Sequence, residues 1–280
     1  MTVWVTELND FEECLQKWEY KWGQRLRVAE TVKVDERLTM GSSIHKGMEA
    51  GLLLGWDEAG VAAQVYGEEH ELSLEALDKV SLAISMVPLW LKQVSNPQCE
   101  LPLSISSDVS LSYHRPEDFI VLSGKPDLWW VDNEGGHVVE LKSTADHAKN
   151  RLRNLNEFDT QLPRYASMLW KTAREEGDLL SAWPGGMPIE YQYLVLSWRG
   201  QVAESGWRVL GDSEAAFCIQ QMNQAVFNMQ ALRYHPMHRS KMCTWCSYNP
   251  VCETLLTGGD AGDIIDTKYE VRPRRVESVT

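Results

Sequence analysis

The chain has 280 residues, 44% of them hydrophobic and 24% charged, with a net charge of -13. These are ordinary globular values for one large domain, or for one domain with an appended module. They exclude a generally sticky polycation, but not nucleic acid, because a groove needs only a local basic lining and metal ions neutralise a carboxylate site.

No stretch is long and apolar enough to span a membrane, and Met1–Asp10 lacks the basic-then-apolar form of a signal peptide. A cytoplasmic or similarly reducing location is therefore expected, where the six cysteines are poor candidates for structural disulfides. No internal repeat or low-complexity segment is present.

The first predicted helix covers Asn9 to Trp22, with Asp10 as its cap and Phe11, Cys14, Leu15, Trp18 and Trp22 at helical spacing. Taken alone, Cys14 reads as a buried core cysteine on that apolar face. Residues 31–40 are polar and irregular, and Gly41-Ser42-Ser43 introduces a second helix through about Leu54. It carries His45 and Glu49 one turn apart. A third helix is predicted over Glu71–Val94, opened by Ser73 and broken near Pro88.

From Cys99 the period changes to two: Leu101, Leu103 and Ile105 alternate with polar residues, as do Val109, Leu111 and Tyr113. With Phe119–Leu122 this predicts antiparallel strands with one buried face. A helix over Glu157–Arg174 places Gln161 and Tyr165 one turn apart, with Pro163 near its start. Ile189–Trp198 reads as an apolar strand at or near a sheet edge, and Ser213–Leu232 as the last long helix. The tail after Gly258 is polar, includes Arg272-Pro273-Arg274-Arg275, and is expected to be flexible.

The stretch from Gly124 to Lys142 carries the first chemical signal. It predicts strands Asp127–Val131 and His137–Leu141, joined by a turn rich in Asp, Asn and Gly, which tolerate positive φ. Alternation puts Glu140 and Lys142 on one face and Leu141 on the other, and the returning hairpin can bring Asp127 beside Glu140. Two converging carboxylates suit a hard divalent cation, and the neighbouring lysine could hold a nucleophilic water or offset phosphoryl charge. The plainer reading of these three residues alone is a hairpin with a surface ion pair.

Cys243-x2-Cys246-x5-Cys252 is the second signal. A Cys-x2-Cys places two sulfurs within reach of one metal, and three cysteines in ten residues, with none in the preceding 24, point to a metal or cluster site. Zinc completed by His238 and an iron–sulfur cluster closed by a distant cysteine are both open.

His45 on an early helix, Gly124-x-Pro126-Asp127, Glu140-Leu141-Lys142 and Gln161-x3-Tyr165 together resemble the RecB-type branch of the PD-(D/E)xK nucleases. A lone N-terminal cysteine with a C-terminal Cys-x2-Cys-x5-Cys resembles members with a 4Fe-4S cluster, such as the CRISPR-adaptation exonucleases and the AddB-type helicase–nuclease subunits. The resemblance runs from about Cys14 to Cys252. It implies an α/β (α+β) restriction-endonuclease-like core, a central mixed sheet flanked by helices, with the chain ends joined by a four-cysteine cluster. Residues 1–258 would form this domain and 259–280 the tail.

By that resemblance Asp127, Glu140, the Leu141 carbonyl and His45 bind Mg²⁺ or Mn²⁺, and Lys142 positions the attacking water. Gln161 and Tyr165 contact the DNA backbone or brace Lys142. Cys14, Cys243, Cys246 and Cys252 hold the cluster, whereas Cys99 and Cys218 do not. Glu49 has no counterpart in the family pattern.

The activity implied is a metal-dependent DNA exonuclease favouring single strands or ends, in recombination, repair, phage DNA processing or CRISPR adaptation. Alternatives are a zinc-stapled or catalytically silent DNA-binding or assembly protein on the same fold, and a structure-specific endonuclease. No phosphate-binding loop of a helicase is present, so any unwinding would come from a helicase, recombination or CRISPR partner protein. Lys149, Arg151, Arg153 and Arg164 form a candidate phosphate track or an ordinary solvated face. Trp129, Trp130 and Trp245, among 12 tryptophans, could stack on bases or pack in the core.

Overall fold

The computed structural model describes residues 2–29, 35–95, 97–99, 103–106, 120–175, 188–231, 243–244 and 246–272. In chain order it opens with β1 (Thr2–Trp4), α1 (Val5–Glu13), α2 (Leu15–Trp18), a π-helical turn Glu19–Gly23 and β2 (Leu26–Val28). Helices α3 (Glu36–Leu54), α4 (Trp56–Glu69) and α5 (Leu74–Ser85) follow. Next come β3 (Gln98–Cys99), β4 (Leu103–Ser106), β5 (Val121–Gly124), β6 (Leu128–Val131) and β7 (Gly136–Thr144). Helices α6 (Ala148–Phe158) and α7 (Gln161–Glu175) lead to β8 (Ile189–Ser197), β9 (Gln201–Glu204), β10 (Arg208–Leu210) and α8 (Asp212–Ala231). The last elements are α9 (Asn249–Leu256), α10 (Gly262–Lys268) and β11 (Tyr269–Val271).

The chain divides into two compact units, one of Met1–Val5 with Asp35–Asn223 and one of Thr6–Val34 with Gln224–Thr280. In the first, the larger sheet has the order β10-β8-β7-β6-β3, and β9 also pairs with β8. Strands β6 and β7 form an antiparallel hairpin, whereas β7 and β8 run parallel. A smaller sheet, β1-β5-β4, combines one parallel and one antiparallel pair. The sheets are thus mixed, as the resemblance implied, with parallel pairs added to the antiparallel strands read from the periodicity after Cys99. Val109–Tyr113 lies outside the described residues.

Strand β8 was expected near an edge, but it lies between β7 and the pair β9 and β10. Eight of its nine residues are buried, Gln192 among them, as a strand covered on both faces requires. Met40, Ile44 and Met48 of α3, Val80 and Ile84 of α5, and Leu141 and Leu194 of the sheet form one core. This core fixes α3, and hence His45, against the hairpin face that carries Leu141.

Helix prediction erred at boundaries and by omission. Helix α3 begins at Glu36, capped by the Asp35 side chain, inside the stretch expected to be irregular. The third helix is opened by Ser73 as predicted but stops at Ser85, with only a 3-10 turn at Leu91–Gln93 beyond it. Helices α4 and α6 were not predicted as separate elements; α6 precedes α7, which has Pro163 in its first turn, where a missing N–H costs nothing.

In the second unit the first helix is interrupted at Cys14, whose backbone is extended at φ -162° and ψ 111°. Asp10 is not an end cap but a buried residue inside α1, bonded to Lys17 and Lys21 at 2.7 Å each and to the Trp22 indole at 2.8 Å. Tyr20, Leu26, Tyr248, Val251, Ala261 and Tyr269 make this unit's core. The tail expected to be flexible from residue 259 instead forms α10 and β11, the latter paired antiparallel with β2. Residues 273–280 lie outside the described residues. Among the described residues no helix is long and apolar enough to cross a membrane.

Candidate active site and cysteine cluster

The hairpin register sets the site. Leu128 pairs with Val139, so the preceding residue, Asp127, comes beside Glu140 across the two strands. Asp127 Oδ2 accepts the Leu141 backbone N–H at 2.7 Å, and its Oδ1 stands 3.2 Å from His45 Nδ1 of α3. Lys142 Nζ donates to Glu140 Oε1 at 2.6 Å and lies 3.5 Å from Gln161 Oε1. Gln161 in turn donates through Nε2 to Tyr165 Oη at 2.8 Å.

The six predicted residues are thereby brought together, with Gln161 and Tyr165 arranged behind Lys142. Tyr165 is only 1% exposed, which fits bracing rather than contact with DNA. Gly124 makes room for it, since a Cβ there would stand 2.7 Å from Tyr165 Cε1.

Two residues of this neighbourhood were not predicted. Asp159 accepts the Gln161 backbone N–H at 2.7 Å and so sets the first turn of α7. Tyr193 pairs with Glu140 in the β7–β8 register, and burial together with the Asp159 and Glu140 charges raises its pKa. An Asp two residues ahead of a helix was a readable capping signal. A tyrosine within an apolar strand was not a readable site signal. Glu49, set aside in the sequence, lines the same small pocket as His45 and Asp127 and pairs with Lys46 at 2.7 Å.

Electrostatics separate the two acids. Glu140 is 3% exposed, and burial followed by the nearby Asp127 charge pushes its pKa up to about 7. Burial would also raise Asp127, but His45, Lys142 and the Leu141 amide outweigh it and hold that carboxyl below its usual range. Burial disfavours charge on both His45 and Lys142, yet the neighbouring carboxylates raise both pKa values.

Glu140 Oε2 is buried with no hydrogen-bond partner among the described residues. No three His, Cys, Asp or Glu side chains among the described residues are gathered as a metal-holding group in this arrangement. Asp127 is engaged by His45, and one oxygen of Glu140 by Lys142. The orphaned oxygen beside a second carboxylate, both hard donors, nevertheless fits a divalent cation, which would be held by Asp127, Glu140, the Leu141 carbonyl and His45.

The candidate phosphate track needs correction. Lys149, Arg151 and Arg153 are exposed on α6, but Arg164 is buried at 3% exposure and is not available to a phosphate there. Trp130 is also buried; its indole N–H bonds Asp132 at 3.1 Å and its ring stacks on His137, so it does not offer a face for a base. Trp245 and His238 lie outside the described residues.

No disulfide joins any of the six cysteines. In the second unit Cys14, Cys243 and Cys246 line one cavity of about 410 Å³. The Cys252 thiol is pushed up to about 11, first by burial and then by Cys246, Cys14 and Cys243. Burial also raises Cys246, again with contributions from Cys14 and Cys243. Cys252 is thus influenced by the other three cysteines, although no three His, Cys, Asp or Glu side chains among the described residues stand together as a metal-holding group. Cys99, in the core of the first unit, and Cys218 are buried elsewhere and line no part of that cavity.

Comparison with curated proteins finds no match. A solved structure described as the crystal structure of SSO0001 is similar over 90% of this chain and 85% of its own, at 14% identity and a TM-score of 0.39. The family model of the PD-(D/E)XK nuclease superfamily matches residues 3–253, nearly the whole chain and every residue of the site just described. The chain belongs to the PD-(D/E)XK nuclease superfamily.

Proposed function

We propose that the protein is a divalent-metal-dependent DNA exonuclease that favours single strands or DNA ends. The observation that carries this reading is the convergence of Asp127, Glu140, Lys142 and His45 at one hairpin, with a buried carboxylate oxygen left over. When bound, Mg²⁺ or Mn²⁺ supplies Lewis-acid activation and offsets the charge of the phosphodiester.

The protein groups do the rest. Lys142 stays protonated because two carboxylates surround it, so its ammonium can hold the attacking water by a hydrogen bond and meet the charge that builds on phosphorus. Gln161, bonded to Tyr165, limits where that ammonium can go. Asp127, fixed by the Leu141 amide and His45, presents a carboxylate that is ionised throughout the physiological range.

The preference for ends is taken from the resemblance to RecB-type nucleases that the sequence carries. Recombination, repair, phage DNA processing and CRISPR adaptation are the processes that suit such an activity, alongside a helicase or recombination partner. The second unit supports a structural role for Cys14, Cys243, Cys246 and Cys252, which we assign to a 4Fe-4S cluster, with zinc as the competing occupant.

Digestion of end-labelled single- and double-stranded DNA, linear and circular, with Mg²⁺, Mn²⁺ or EDTA tests the proposal. Metal-dependent loss of nucleotides from linear ends is expected. Nicking of closed circles at discrete places would favour a structure-specific endonuclease, and binding without cleavage would favour an assembly protein on this fold.

A further inference from the structure

His45 belongs to two surfaces at once. It lines the small pocket with Asp127, and it lines an open groove of about 640 Å³ that leads away from the acidic pair. One wall of that groove is a stripe of α3, with Arg37, Gly41 and His45 at four-residue spacing and Leu38, Ser42 and Lys46 beside them. The opposite side comes from Tyr66 of α4, Ser143 and Thr144 at the end of β7, and Trp198 just after β8.

The walls are held close. A Cβ on Gly41 would stand 3.2 Å from Ser143 Oγ, and the Trp198 backbone N–H donates to the Thr144 carbonyl at 2.9 Å. Because β7 carries Glu140 and Lys142 directly into Ser143 and Thr144, the groove continues the site along both α3 and the strand.

The lining has a particular chemistry. In a chain of net charge -13, no carboxylate among the described residues lines this groove, while two cations and four hydroxyl side chains do. Lys46 is paired with Glu49, but no carboxylate among the described residues engages the Arg37 guanidinium. Tyr66, stacked on His70 at 4.1 Å between ring centroids, and Trp198 supply aromatic surface. Cations and hydroxyls suit phosphates, and aromatic rings suit unpaired bases. Eight residues of helix separate Arg37 from His45, a rise of roughly 12 Å, which spans about two or three nucleotides.

Resting on the nuclease reading above, we infer that this groove seats two or three nucleotides of single-stranded DNA next to the scissile phosphate, with Arg37 on a phosphate and Tyr66 against a base. The test is fluorescence anisotropy of a labelled 12-nucleotide oligo(dT) in EDTA and in Ca²⁺, alongside cleavage of that strand and of a dinucleotide in Mg²⁺.

Arg37→Ala should weaken binding about five- to tenfold and flatten the salt dependence by about 0.7 in slope, the loss of one single-strand phosphate contact. Tyr66→Ala should weaken binding about fivefold or more without changing that slope, and Tyr66→Phe should restore it. In both weakened variants the preference for the 12-mer over the dinucleotide should collapse, with thermal melting reporting that the fold is intact.

If DNA is cut but neither variant alters binding, salt slope or length preference, the groove assignment is wrong and the nuclease reading stands. If nothing is cut but binding responds as stated, the groove stands and the nuclease reading falls. Failure of the wild-type protein to bind the strand sinks both, and tighter binding of a blunt duplex than of the single strand overturns the groove.

Discussion

Glu140 gives one carboxylate oxygen to the Lys142 ammonium at 2.6 Å and keeps the other buried with no hydrogen-bond partner among the described residues. A pair so arranged is a poor device for stability, because the desolvation of both groups consumes most of the attraction between them. It is a good device for holding a charge in place. Lys142→Ala should therefore leave a folded protein, since Glu140 can take up a proton, but slow DNA cleavage by about 10²–10³-fold. Single-turnover cleavage by highly purified variant decides it, and an unchanged rate would falsify the assignment of Lys142.

The same carboxylate gives a pH prediction with a definite sign. Glu140 has a folded pKa near 7, above its ordinary value of 4.5, so it binds a proton more readily in the folded state. The stability of the metal-free protein from this group is therefore greatest below about pH 4.5 and is lost as pH rises toward 7. His45, also raised, works in the same direction, losing its stabilising charge as pH climbs through its folded pKa. Asp127, held low, stays ionised and adds nothing in that window. A cation must displace the protons on Glu140 and His45, so the rise in melting temperature on adding Mg²⁺ should be larger at pH 8 than at pH 6, with proton release at pH 6. Equal increments at the two pH values would count against these residues as the metal site.

Much of this site could be read in the sequence because strands obey a simple rule. Once Asp132 to Gly136 was recognised as a turn, alternation alone put Glu140 and Lys142 together and Asp127 across from them. The Asp132 side chain indeed accepts the Glu134 and Gly135 amides in that turn. His45, Gln161 and Tyr165 could not be placed by periodicity, because their nearness depends on how α3 and α7 pack on the sheet. Burial was the least legible property. Arg164 looks like any basic helix residue, and only the fold shows it inside. The central position of β8 was missed because Glu190 and Gln192 alternate with apolar residues at its start, as in a strand with one solvated face, and only the fold shows Gln192 buried.

Gly124 should prove intolerant of any side chain. A methyl group there would lie 2.7 Å from Tyr165 Cε1 and 3.0 Å from Met168 Sδ, and Tyr165 is too enclosed to swing aside. Overpacking of this kind costs about 1–3 kcal/mol. A displaced ring would also move Gln161 and loosen Lys142. Gly124→Ala should thus lower both melting temperature and cleavage rate, whereas Tyr165→Phe, which removes only the hydroxyl, should affect the rate more than the melt. A Gly124→Ala protein with wild-type melting and activity would show that Tyr165 is not held as described.

The break between α1 and α2 at Cys14 leads to the last prediction. Cys14 is extended between two helical segments, although its N–H still donates to the Asp10 carbonyl at 2.9 Å and its carbonyl accepts from the Trp18 N–H at 3.0 Å. At this break the chain brings a thiol to the cavity that Cys243 and Cys246 line. The Cys252 thiol, raised by burial and by the other three cysteines, is reluctant to ionise without a positive centre to bind. A shared metal centre would reverse that reluctance, since thiolates are its ligands. It would also close a loop from Cys14 to Cys243, nearly the whole chain, restricting the unfolded ensemble by about 5 kcal/mol in the chain-entropy model used for disulfides. That is comparable to the net stability of many domains. With a 4Fe-4S cluster bound, protein purified without oxygen should be brown and should lose thermal stability as it bleaches in air. Cys14→Ala should contain less iron, melt lower and cut DNA poorly, although Cys14 is absent from the pocket that His45 and Asp127 line. Zinc on the C-terminal cysteines predicts instead a colourless protein in which Cys14→Ala keeps its metal. Iron and zinc analysis of that one variant, read beside its melting temperature, separates the two; full metal content and normal melting would remove Cys14 from the site.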